Sequence, residues 1–127
     1  MTIPKTGLDK LATVNPILQK LVMRAAEISA QPFTIVQGRR TLSEQKRLYA
    51  QGRTSPGPKV TWTMKSKHLS GVAIDFAALV DGKISWNDKL YPTIALAFHL
   101  ASIELGIPIV WGGQWHNPDL GHIELQQ

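Results

Sequence analysis

The sequence contains no cysteine. Disulfides and thiolate metal sites are therefore excluded, and any metal must be held by His, Asp or Glu. No apolar run approaches the ~18 residues that a membrane-spanning helix needs. Acid is in short supply: 9 Asp and Glu stand against 14 Lys and Arg, a formal charge of +5. The start, Met1-Thr2-Ile3-Pro4-Lys5, lacks the basic head, apolar stretch and small-residue cleavage site of a secretory signal. The product is expected to be made in the cytoplasm, so that work outside would need release across the membrane by another agent. Repeats, low-complexity tracts and long linkers are also missing.

What is present is an ordinary globular composition. With 43% hydrophobic and 18% charged residues the chain is not of the disordered class, and 127 residues suit one domain, 1–127, with its own core. The positive surplus favours an anionic partner, such as nucleic acid, an acidic membrane surface or an acidic cell-wall polymer, or is simply a basic surface. No helix-turn-helix, zinc-finger or aromatic RNA-binding motif accompanies it, so a nucleic-acid partner is not expected.

Asn15-Pro16 reads as a helix cap and first helical residue, followed by Ile17, Leu18, Leu21, Val22 and Ala25 at helical spacing. Phe33 to Val36 is β-prone. Thr41-Leu-Ser-Glu44 fits a capping box, which predicts a helix from near Ser43 to Gly52. Arg53 to Lys59 reads as an exposed loop. Val72 to Leu79 alternates, with Val72, Ile74 and Phe76 on one face and Ala73, Asp75 and Ala77 on the other. Asp81-Gly82 signals a hairpin turn. Pro92 to Leu105 is a long apolar helix stopped by Gly106. Ile107 to Val110 and Gly121 to Leu125 complete the strands. Helices mixed with short antiparallel pairs predict an α+β fold.

Three runs carry candidate chemistry. In Ser66-Lys-His68-Leu-Ser-Gly71-Val-Ala-Ile-Asp75, a bend at Gly71 lets His68 and Asp75 converge, and Ala73 and Ala77 leave room around the carboxylate. In Trp111-Gly-Gly-Gln-Trp115-His116-Asn-Pro-Asp119-Leu-Gly-His122-Ile-Glu124, Asp119 and His122 stand three apart across a turn. His68, Asp75 and His122 would make a two-His, one-carboxylate set suited to one zinc ion with an open position for water, leaving Asp119 free as general base. In Gly38-Arg-Arg40-Thr41, an Arg just before a helix start can clamp a carbonyl or carboxylate, and Arg40 is the candidate. Taken singly, each has a plainer reading: Asp75 a half-exposed carboxylate beside a surface His, Asp119 a turn cap, His122 a structural His, and the adjacent Arg residues solvated charges.

Together the runs resemble the zinc peptidases of cell-wall peptides, the D-alanyl-D-alanine peptidase and L-alanyl-D-glutamate endopeptidase family. The family's Ser, any, His, two any, Gly, any, Ala, any, Asp block is met by Ser66, His68, Gly71, Ala73 and Asp75. Its acidic residue, two any, His block is met by Asp119 and His122. Gly38 through Gln45 and Trp111 to Gly113 match two further blocks. Gln114 departs, where many relatives carry an acid. The resemblance is closest to a phage endolysin. It implies a small antiparallel sheet flanked by helices, as in Hedgehog and DD-peptidases, with zinc on His68, Asp75 and His122. It further implies Asp119 as acid/base, Arg40 on substrate or oxyanion, and a peptidoglycan stem peptide as substrate. Ser66, Trp115 and His116 are candidate substrate contacts, Trp115 as a cleft wall. Glu124 either orients a ligating His or faces solvent, and Trp62, Trp86 and Trp111 either line a groove or, as large aromatics more often do, belong to the core or its edge. His99 reads as part of its helix. A monomer is expected, without a separate wall-binding domain. A D-Ala–D-Ala carboxypeptidase or dipeptidase shares these motifs, and a non-catalytic zinc-stabilised domain is the alternative of another class.

Overall fold

The structure is a computed structural model that describes residues 1–59 and 66–126. Helices α1 (Lys5–Leu11) and α2 (Pro16–Ile28) lead into strand β1 (Phe33–Gln37) and helix α3 (Leu42–Ala50). Strands β2 (Ala73–Val80) and β3 (Lys83–Ser85) form a hairpin, followed by helix α4 (Tyr91–Leu105), β4 (Ile109–Trp111) and β5 (His122–Leu125). The strands form one antiparallel sheet in the order β1-β2-β5-β4, with β3 paired to the far end of β2. The expected α+β class is what is observed.

Local signals explain most elements. Asn15 caps α2 by accepting from the Ile17 amide at 2.8 Å. Thr41 and Glu44 close a reciprocal capping box, so α3 begins at Leu42, one residue before the expected start. The β2–β3 turn places Asp81 and Gly82 at φ 52° and 77°, the left-handed pair a two-residue hairpin needs. Strand β4 begins two residues later than Ile107 because the helix end claims that residue. The Ile107 amide donates to the Ser102 carbonyl at 3.0 Å, and the Ser102 hydroxyl donates back to Ile107 at 2.6 Å. Helix α1 was not foreseen from the sequence.

The alternation in β2 divides the sheet by chemistry. Ile74 and Phe76 are fully buried in an aromatic core with Phe33, Phe98 and Tyr91. Asp75 lies on the opposite face. In the β2–β5 register Ala73 faces Glu124, Ile74 faces Ile123 and Asp75 faces His122. Directly opposed residues share a face of an antiparallel pair. The core face therefore carries Ile74 and Ile123, and the other face carries Asp75, His122 and Glu124.

Candidate metal and catalytic centre

His68 comes from the turn that precedes β2. The Ser66 hydroxyl accepts the His68 amide at 3.2 Å, and the Val72 amide closes the turn on the Lys67 carbonyl at 3.2 Å. Gly71 turns the chain at φ 73°, a conformation that L side chains rarely adopt. The bend carries His68 over the face that displays Asp75. His68 is buried, and its Nδ1 donates to the Gly38 carbonyl at 3.0 Å, leaving Nε2 to face Asp75 Oδ1, 3.3 Å away. His122 is the cross-strand partner of Asp75. Its Nε2 donates to Glu124 Oε1 at 2.9 Å, so Nδ1 turns to Asp75 Oδ1 at 3.2 Å.

Three atoms able to ligate a metal thus face one point. The ligand atoms of His68, Asp75 and His122 all lie within 4.8 Å of one another, and these three are the group of that kind among the described residues. Two imidazole lone pairs facing a carboxylate oxygen repel unless a cation or a proton sits between them. The donor set of two imidazoles and one carboxylate fits zinc, which takes nitrogen and oxygen ligands readily. Without a cation, the electrostatics of the cluster favour a proton on His122 at that point. Burial would lower the His122 pKa, but the hydrogen bond and charge of Asp75, helped by Glu124, raise it above the usual histidine value. Burial would likewise raise the Asp75 pKa, yet hydrogen bonds from His122 and His68 hold it well below the usual carboxylate range.

Asp119 stands at the open side. Its Oδ2 lies 3.9 Å from His122 Nδ1, and 51% of its side chain is exposed. What burial it has, and the nearby Asp75 carboxylate, raise its pKa above the ordinary aspartate value. The Trp-Gly-Gly element explains how Asp119 is placed. The Asp119 amide donates to the Gly112 carbonyl at 2.9 Å, and a Cβ on Gly112 would meet the Asp119 carbonyl oxygen at 2.7 Å. Only glycine permits that approach.

Arg40 is buried beside Asp75. Its Nη1 donates to Gln45 Oε1 at 2.7 Å, and its Nη2 lies 3.6 Å from Asp75 Oδ2. Burial lowers its pKa, opposed by the charges of Asp75, Glu44 and Asp119. The Trp115 ring packs 4.8 Å from that of His122 and stays 40% exposed. His116 lies exposed in the same loop and is not part of the three-residue group. Ser66 is brought to the His68 turn, where its hydroxyl serves the backbone. Gln114 lies exposed in the short turn after β4. Trp111 is at the core edge, its Nε1 donating to the Leu120 carbonyl at 2.8 Å. Trp86 stacks on Tyr91, and Trp62 lies outside the described residues. Two contacts beside the centre were not assigned from the sequence, although Gln45 closes the Gly38–Gln45 match. Gln45, fully buried, holds Arg40, and Lys67 pairs with Glu124. The Glu-Gln pair at the start of α3 was the one available signal for Gln45.

An antiparallel sheet with helices and a His–Asp–His group on one face defines a DD-peptidase-like α+β fold. A solved structure of the Serratia marcescens L-Ala D-Glu endopeptidase ChiX superposes with a TM-score of 0.85 at 31% identity, covering 96% of this chain and 87% of that one. The chain belongs to the family of phage L-alanyl-D-glutamate peptidases, whose sequence model matches residues 1–127. It is 40% identical to the L-alanyl-D-glutamate peptidase of Escherichia phage T5 over 124 residues, 97% of this chain and 88% of the relative. It is 36% identical to the peptidoglycan L-alanyl-D-glutamate endopeptidase CwlK of Bacillus subtilis over 122 residues, 88% of this chain and 73% of the relative.

Proposed function

We propose that this peptidoglycan endopeptidase hydrolyses the L-alanyl-D-glutamate bond with one zinc ion held by His68, Asp75 and His122, and that it acts as a phage endolysin. The observation that carries the reading is the convergence of His68 Nε2, Asp75 Oδ1 and His122 Nδ1 beside a half-exposed Asp119. The relatives' names supply the bond.

Zinc, when bound, supplies a Lewis acid that makes water acidic near neutral pH. The chain's own residues do the rest. Asp119, raised in pKa and open to solvent, accepts the proton of the attacking water and returns it to the departing amine. Arg40 holds the Asp75 carboxylate and places a positive charge against the carbonyl oxygen as it becomes anionic. Glu124 fixes which nitrogen of His122 is free to ligate. Trp115 forms one wall of the peptide groove, with Ser66 and His116 as flanking contacts. Asp119 favours an enzyme over a zinc-stabilised binding domain, which would have no need of that carboxylate.

Metal analysis of the purified protein tests the reading, combined with peptidoglycan clearing before chelation, after it, and after zinc is restored. One zinc per chain, with activity lost and recovered, is expected. Full activity in metal-free protein would overturn it.

A further inference from the structure

Glu124 is a buried carboxylate with both oxygens committed. Oε1 accepts from His122 Nε2 at 2.9 Å, and Oε2 pairs with Lys67 Nζ at 2.5 Å. Lys67 adjoins His68 in sequence and shapes its turn, since its carbonyl accepts from the Val72 amide at 3.2 Å and from the Ser70 hydroxyl at 3.2 Å. Its ammonium also reaches the Leu125 carbonyl at 3.5 Å. One side chain therefore joins the turn that presents His68 to the strand that presents His122.

We propose that Lys67 is a positioning residue for the metal centre, acting through Glu124. It holds the Glu124 carboxylate so that the His122 ring is fixed with Nδ1 towards Asp75, and it ties together the two segments that carry the histidines. The inference rests on the reading of those histidines as ligands. The physical case is geometric. A buried carboxylate with one oxygen unpaired is costly and turns towards another partner, and the ring it holds turns with it. Partners that orient a ligating histidine commonly change metal affinity 10- to 100-fold when removed.

The test is zinc affinity, read by competition against a chromogenic chelator, for wild type, Lys67→Met, Lys67→Arg, Glu124→Gln and the Lys67→Met/Glu124→Gln double variant. Lys67→Met is expected to weaken zinc binding about 10-fold or more. Lys67→Arg should recover most of that loss, and the double variant should bind no more weakly than Glu124→Gln alone, because Lys67 acts through Glu124. Lys67→Gln provides the same comparison if Lys67→Met does not fold. Wild-type affinity in Lys67→Met, with only a lower unfolding temperature of the metal-free protein, would make Lys67 merely structural and overturn the proposal. Full additivity in the double variant would also overturn it. A wild-type protein that binds no zinc would instead overturn the metal reading itself.

Discussion

At the scale of single residues, the chemistry turns on which nitrogen of each histidine carries the proton. The Gly38 carbonyl takes the Nδ1 proton of His68, and Glu124 takes the Nε2 proton of His122, so opposite nitrogens of the two rings face Asp75. Without metal, this arrangement makes stability depend on pH from two sides. Asp75 is depressed below its ordinary 3.8, so its contribution is present above that value and is lost as acid protonates it. His122 is raised above its ordinary 6.5, so its contribution is complete below that value and is lost as pH rises through the raised pKa. Chelated protein should therefore unfold at its highest temperature between about pH 4 and about pH 6.5, and melt lower in alkali. Zinc needs the ring deprotonated and should remove the alkaline loss. Melting curves in chelator and in zinc check both statements. Asp119 stands apart from the three proposed ligands, and Asp119→Ala should keep its zinc while kcat falls about 100-fold or more. Zinc content and kcat measured on the same preparation separate the two effects; wild-type turnover would remove Asp119 from the mechanism.

At the scale of elements, the site depends on a register and two tight turns. Asp75 meets His122 because β2 and β5 pair as they do, and a slip of one residue would send His122 to the core face. Gly112 presses against the backbone of Asp119. Gly112→Ala should cost about 1–3 kcal/mol of stability by overpacking and displace Asp119. The added Cβ would also crowd the His122 Cβ at 3.1 Å, so the expected result is a loss in both kcat and zinc affinity, visible in kinetics and metal titration alongside denaturant titration. Much of this was legible in the sequence. The alternation in β2 separated Asp75 from Phe76, Gly71 marked the bend, and the capping box placed α3 within a residue. Helix α1 was not, because its Gly7 contradicts helical propensity. That glycine is there because a Cβ would lie 2.2 Å from the Thr34 hydroxyl of β1. The link from Lys67 to Glu124 was equally hidden, since it exists only once β5 is laid beside β2.

At the scale of the whole molecule, charge and surface bear on how the enzyme meets its polymer. Among the described residues no helix is long and apolar enough to cross a membrane. The surplus of +5 favours adsorption to an acidic wall, and that attraction is screened within about 10 Å at 0.1 M salt. Retention on purified walls should therefore fall as salt rises, measured by co-sedimentation of the Asp119→Ala variant so that digestion does not intervene. Undiminished retention in high salt would place the affinity in specific contacts instead. Which bond is cut is read from mass spectrometry of the ends released from purified peptidoglycan. New glutamyl amino termini that vanish with chelator and return with zinc are expected; free D-alanine, or the same ends from fully metal-free protein, would contradict zinc-dependent cleavage of the L-alanyl-D-glutamate bond.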